Sequence, residues 1–372
     1  MAGQTIHDLA PGKGNPRNSE GAFIKTKSGG ILFCYTAYEG DSFLDHARAN
    51  ICCIRSMDEG RTWSAPETIV TARAHEAMNV MSVSMLAMAD GQLGLFYLVR
   101  KTFADLRVWL RRSDDEGKTW SEARCCTTRM GYFVLNNDRV VRLSTGRIIL
   151  PVAEHQPTFP KRSDHPHYSP AYSTFFYSDD DGATWHESQA LVALSGTRSD
   201  AGLQEPGVLE LNNGMLYAWS RTDLGCQYQF MSLNQGCNWS AAVPSPFTSP
   251  LSPLSMKRLR DGRLLAIWNP IPTHLTREYP QQAGGRTPLI AALSEDEGQH
   301  WRGPIVLEDN PNSGYCYTAI YELDDAILLG YCAGNVELDG ACLNRLRIRR
   351  VPLAELASLT SPQGFYMRGI GF

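Results

Sequence analysis

Six positions in this 372-residue chain share one offset from a short turn, and several carry side chains able to do chemistry together. Counted about nine residues back from turns such as Asp90-Gly91 and Asn213-Gly214, they are Glu20, Ser82, Asn136 or Asn137, Glu205, Pro253 and Tyr315 or Cys316. A second set ends the strand after each turn: Tyr38, Arg100, His155, Arg221 and Asn269. Singly, each is an ordinary solvated or hydrogen-bonded polar group. Converging on one mouth, two glutamates, an amide and a tyrosine make a strongly polar ring. Carboxylates and a histidine there would be suited to acid and base work.

What must position these residues is a repeat. The pattern Ser113-Asp114-Asp115-Glu116-Gly117-Lys118-Thr119-Trp120 recurs at Ser56 to Trp63 and Ser178 to Trp185, with worn copies at Ser232 to Trp239 and Ser294 to Trp301. It has the chemistry of a hairpin turn: the Asp caps its own backbone, the Gly supplies a positive φ, and the Trp plugs the base. Upstream of each copy lies a turn followed by an apolar strand, as in Ser28-Gly29-Gly30-Ile31-Leu32 and Arg260-Asp261-Gly262-Arg263-Leu264; a sixth, Asp324-Asp325-Ala326-Ile327, lacks the Gly. The copies start 54 to 65 residues apart, which is room for about four strands each. The expectation is an all-β fold, a six-bladed β-propeller of four-stranded antiparallel blades forming one domain over residues 1–372. The segment before Ser19 would supply the strand that closes the last blade and protects its edge.

Strand direction then sorts the two faces. Strands alternate, so the first turns and the box turns share one face, and the variable loops share the other. The chemistry-bearing residues fall on that second face, including a long loop from His155 to Tyr172 with His165 and His167.

Composition excludes several functions. A net charge of −4 without a basic face argues against nucleic acid as a partner. No apolar run reaches membrane-spanning length, and Met1 to His7 lacks the pattern of a signal peptide, so a cytoplasmic protein without membrane contact is expected. The ten cysteines, with the adjacent pairs Cys52-Cys53 and Cys125-Cys126, are expected to be free core residues. His165 and His167 lack zinc-pair spacing and Gly284-Gly285 lacks a strand-to-helix setting, so neither a metal nor a cofactor is expected.

The Ser-x-Asp-x-Gly-x-Thr-Trp copies resemble the Asp-box of the sialidase (neuraminidase) superfamily. The resemblance implies an arginine triad on a substrate carboxylate, a tyrosine nucleophile activated by a glutamate, and an aspartate acid/base in a loop of the first blade. On this chain it assigns Glu205 of Gln204-Glu205-Pro206-Gly207 as the tyrosine's partner and Arg221 and Arg286 as two of the arginines. Tyr315 of Gly314-Tyr315-Cys316-Tyr317-Thr318 becomes the nucleophile, with Tyr317 as the alternative. Asp45 becomes the acid/base, with Asp41 as the fallback. The first family arginine has no simple equivalent: Glu20 stands ten residues before Gly30, and Arg17 lies three residues earlier. His155 and Asn137 complete the expected substrate-binding set.

The implied function is an exo-acting glycoside hydrolase that removes a terminal sialic acid or related acidic sugar by a retaining mechanism. A tyrosine nucleophile suits such a substrate, because a carboxylate nucleophile would meet the charge of the sugar's own carboxylate. Two other readings fit the same residues. One is a propeller glycosidase or polysaccharide lyase for a uronic acid, rhamnose or arabinose unit. The other is a propeller that binds glycan without turnover. The expected partner is a carbohydrate; oligomeric state is not legible.

Overall fold

The computed structural model describes residues 1–156, 170–273, 278–358 and 365–368. Its repeats fold as antiparallel meanders. In the fourth, strands Gln204–Glu210, Leu216–Arg221, Cys226–Ser232 and Val243–Thr248 pair in chain order. Alternation along these strands sends residues to two different apolar layers. Leu209, Tyr217 and Trp219 pack with Met256, Leu264 and Trp268 of the next repeat. Val208, Leu216 and Phe230 pack with Ile149 and Phe175 of the preceding one. Both faces of the sheet are therefore covered by apolar packing. Phe33 and Ile54 of the first repeat pack against Leu328 and Ile348 of the last, so the stack returns on itself as a propeller-like, all-β arrangement. The chain's first strand, Gln4–Leu9, hydrogen-bonds to Leu346–Pro352 at the edge of the final sheet.

The expectation of six separate four-stranded blades is corrected by the backbone hydrogen bonds. The described residues form five sheets: three of four strands, one of five and one of nine. The nine-stranded sheet fuses the second and third repeats. The inner strand of the third repeat is broken into Tyr132–Val134 and Val141–Arg142, and Tyr132 of the first piece pairs in parallel with Leu106 of the second repeat. In the five-stranded sheet, Phe365–Arg368 adds to the edge strand His300–Glu308.

The box turns close as their chemistry requires. In the copy at Ser113, the Gly117 N–H donates to the serine hydroxyl at 2.7 Å, and Asp115 accepts from the Thr119 N–H at 2.8 Å and its hydroxyl at 2.6 Å. Three of the five boxes also grip the neighbouring repeat, which spacing alone did not reveal. Glu116 accepts from the Ser28 N–H at 2.6 Å, Asp181 from the Ala89 N–H at 3.2 Å, and Glu297 from the Asn212 N–H at 2.8 Å. In these three the box carboxylate latches onto the first hairpin turn of the preceding repeat. Arg55 answers from the other side by donating to the Glu116 and Gly117 carbonyls at 2.9 and 2.8 Å.

All ten cysteines are free. Among the described residues no helix is long and apolar enough to cross a membrane, and no cluster of three metal-ligating side chains occurs.

Candidate active site

Four inner strands reach the central axis through the same irregularity. The pairing register shifts between Ser19 and Ala22, between Met81 and Ser84, between Gln204 and Gly207, and between Cys316 and Ala319. At each shift one non-glycine residue adopts a left-handed backbone: Glu20 at φ 55°, Ser82 at 54°, Glu205 at 49° and Tyr317 at 59°. Such residues are strained, and bulges of this kind re-aim side chains. Here all four side chains line one cavity of about 170 Å³, on the face away from the boxes, with Asp45, Arg100, His155 and Arg221.

Of the two candidate nucleophiles, Tyr317 is the one that lines this cavity. Its hydroxyl donates to Glu205 Oε1 at 3.1 Å and accepts from Arg221 Nη1 at 3.2 Å. Arg221 Nε stands 3.1 Å from Glu205 Oε2 and donates to Gln204 Oε1 at 3.0 Å. The Arg286 guanidinium lies 5.5 Å from the centre of the Tyr317 ring and donates to Cys316 Sγ at 3.0 Å. Burial pushes the Tyr317 phenol well above its ordinary pKa, and Glu205 adds to this, while Arg221 and Arg286 pull the other way. The phenol is therefore neutral at rest, and Glu205 is the carboxylate placed to take its proton.

Tyr315, the expected nucleophile, is corrected to a core residue. It is 2 % exposed, packs with Ile320 and Tyr331, and does not line the cavity. The strand alternation and bulge after Cys316 turn Tyr317 inward instead. A signal for this was present: Glu205 lies nine residues before Gly214, and Tyr317 lies nine before Ala326, which replaces the turn glycine in the last repeat. Without that glycine the count had no fixed origin.

Asp45 sits on the cavity rim with a half-exposed carboxylate. Its Oδ1 accepts from Arg17 Nη1 at 2.6 Å, and its backbone carbonyl accepts from Asn79 Nδ2 and Arg100 Nη1, both at 2.7 Å. Burial would raise its pKa, but the charge and hydrogen bond of Arg17, with Arg100 and Arg221 beyond, hold it below the ordinary value. Asp41 is exposed and away from the cavity.

Arg17 does not join the pit. It is 1 % exposed and lies behind Asp45 and Glu20, donating to Ser19 Oγ at 3.1 Å and the Phe43 carbonyl at 3.2 Å, with its guanidinium 4.5 Å from the Tyr38 ring centre. Glu20 is the group that faces the cavity. It accepts from the Ser82 hydroxyl and, at 3.4 Å, from Arg17. Burial raises its pKa, with Asp45 and Glu205 acting in the same direction and Arg17 and Ser82 opposing them.

Asn137 is also corrected from substrate contact to support. Its amide donates to the carbonyls of Gly21 at 2.8 Å and Tyr317 at 3.0 Å, pinning the bulge that aims Tyr317. His155 lines the cavity beside Tyr132, its cross-strand partner, with ring centres 5.9 Å apart. His165 and His167 fall outside the described residues. Arg100, Ser82, Gln204 and Tyr132 line the cavity too, with Met81, Leu98, Leu106 and Val134 as apolar wall. Of these, Arg100 and Ser82 stood in the offset sets of the sequence; Tyr132 and Gln204 carried no signal of their own.

The BNR repeat-like domain family matches residues 23–331. The chain is 24 % identical to an anhydrosialidase of Macrobdella decora over 262 residues, covering 63 % of this chain and 31 % of that protein. It is 31 % identical to a sialidase of Vibrio cholerae over 205 residues, covering 48 % of this chain and 24 % of the other. The chain thus spans less than a third of the length of these relatives. Its fold superposes on the intramolecular trans-sialidase from Ruminococcus gnavus, solved with oseltamivir carboxylate, with a TM-score of 0.70 at 16 % identity, covering 96 % of this chain and 99 % of that one. With the repeats, the fold and the family match together, the chain belongs to the BNR repeat-like domain family, within the sialidase superfamily of β-propellers.

Proposed function

We propose that this protein is a glycoside hydrolase of sialidase type, acting on a terminal sialic acid or related acidic sugar. The observation that carries the reading is the contact of the Tyr317 hydroxyl with both Glu205 and Arg221 inside one cavity. Arg221 and Arg286 hold the substrate carboxylate, Tyr317 Oη attacks the anomeric carbon, and the phenol proton moves to Glu205. Asp45 gives a proton to the departing glycosidic oxygen. Water then attacks the tyrosyl intermediate, its proton goes to Asp45, and Glu205 returns the first proton to Tyr317, so the anomeric configuration is retained.

Asp45 is ionised beside Arg17, so the acid step needs a proton there before turnover. Activity should therefore rise as pH falls below neutrality. Release from a fluorogenic sialoside by wild type and by Tyr317→Phe tests the reading; equal rates for the two would end it.

A second reading concerns the sugar. Glu20 presents a carboxylate to the cavity where the first family arginine was expected, and Arg17 is committed to Asp45. That arrangement favours a substrate offering hydroxyl donors at this point, as in a neutral or uronic sugar. A panel of oligosaccharides in which only sialosides are cleaved would remove this alternative.

A further inference from the structure

The central channel has a second mouth on the box face. There a cavity of about 300 Å³ lies between the inner strands of the third, fourth and fifth repeats, walled by Val141, Leu143, Val208, Leu209 and Met256. Arg139 lines it as well and is 4 % exposed. Its Nη2 donates to the Leu254 carbonyl, which also takes the Trp219 indole N–H at 2.8 Å, and its guanidinium lies 5.4 Å from the Trp219 ring centre. Arg139 Nε is buried with no acceptor.

The other cations at this mouth have carboxylate partners. Lys257 pairs with Asp138 at 2.7 Å, Arg258 with Glu297 at 2.6 Å, and Arg142 with Asp181 at 2.6 Å. Glu210, the other carboxylate there, is occupied by the Ser144 N–H at 2.6 Å and its hydroxyl at 2.7 Å. Arg139 alone among the described lining cations has no ion-pair partner. A buried, unmatched guanidinium is costly, and burial draws its pKa down to about 10 despite the fields of Glu205 and Asp138. A planar fork of N–H donors beside apolar walls matches one carboxylate on an apolar body.

We propose that the box-side mouth of the channel is a binding site for a small monocarboxylate, with its carboxylate on Arg139 and its alkyl or aryl body against Val208, Leu209 and Met256. One unmatched positive charge selects a monoanion, and the five apolar walls select against a hydroxyl-rich sugar. The site is separate from the pit, so it stands or falls independently of the glycosidase reading.

The test is titration of the full chain with sodium pentanoate at constant ionic strength, followed by calorimetry and by the tryptophan indole N–H signals in NMR. Saturable binding that shifts the Trp219 indole is expected, with pentanamide giving none. Arg139→Met should weaken binding at least tenfold, whereas Tyr317→Phe should leave it unchanged. Wild-type protein decides the question even if Arg139→Met folds poorly. No saturable binding, equal binding of pentanamide, or a response confined to residues of the pit would overturn the proposal.

Discussion

The two faces of the propeller use the same backbone strain for opposite ends. On the box face Glu59, Glu116, Asp181, Gln235 and Glu297 adopt left-handed backbones with φ between 56° and 64°. On the pit face Glu20, Ser82, Glu205 and Tyr317 do so with φ between 49° and 59°. Three of these box residues, Glu116, Asp181 and Glu297, spend their carboxylates on the backbone of the preceding repeat, at Ser28, Ala89 and Asn212. Pit residues instead point at one another and at a cavity, as Tyr317 does toward Glu205. Strain on one face fastens repeats together, and strain on the other presents reactive groups before any ligand arrives. The box, the most conspicuous pattern in the sequence, is assembly hardware; the pit is lined by residues that recur only by position.

The largest effect that sharpens this contrast is expected from the two tyrosines. Tyr317→Phe should lower kcat on the order of 10³-fold or more with little change in Tm, since it removes the reacting oxygen. Tyr315→Phe should change kcat less than about threefold and act on Tm instead, as a buried hydroxyl costs about 1 kcal/mol to remove. If both variants lose activity equally, the separation of the pit from the core is wrong.

A box substitution should show the reverse behaviour. A Cβ on Gly117, at φ 78°, would stand 2.7 Å from Leu32 Cδ1. Gly117→Ala should cost about 1–3 kcal/mol of stability from strain and overpacking, with KM unchanged. A shift in KM without loss of Tm would break the division of labour between the faces.

The smallest effect lies in pH dependence. Hydrogen bonds from the threonine hydroxyl and N–H hold Asp58 and Asp180 at a pKa of about 2. A carboxyl depressed in the folded state stabilises fully above its unfolded value of about 4, and this is lost as pH falls toward 2. Acid unfolding should therefore set in below about pH 4, and Asp58→Asn should flatten that limb. An acid limb as steep in Asp58→Asn as in the wild type would contradict this.

Much of this was legible because repeats act as a ruler. Box spacing gave the all-β class, and strand alternation gave the working face, with Glu205, Arg221 and Glu20 placed on it. The count failed where a repeat is degenerate. Ala326 stands for the turn glycine and Asn137 adjoins a broken inner strand, so the count points to Tyr315 and Asn137 while Tyr317 lines the cavity. The four bulges could not be read either, because Glu, Ser and Tyr are not residues that announce a positive φ. Fusion of the second and third repeats depends on a single parallel pairing, Tyr132 with Leu106, between residues that look like any other strand positions.

Trapping the covalent intermediate tests the central assignment most directly. The enzyme would be treated with a fluorine-substituted activated sialosyl donor, which slows hydrolysis of the adduct, then digested and mapped by mass spectrometry. One sugar attached at Tyr317, absent in Tyr317→Phe, is the expected result. An adduct on Tyr315 or on a carboxylate, or turnover of the donor by Tyr317→Phe at the wild-type rate, would contradict it.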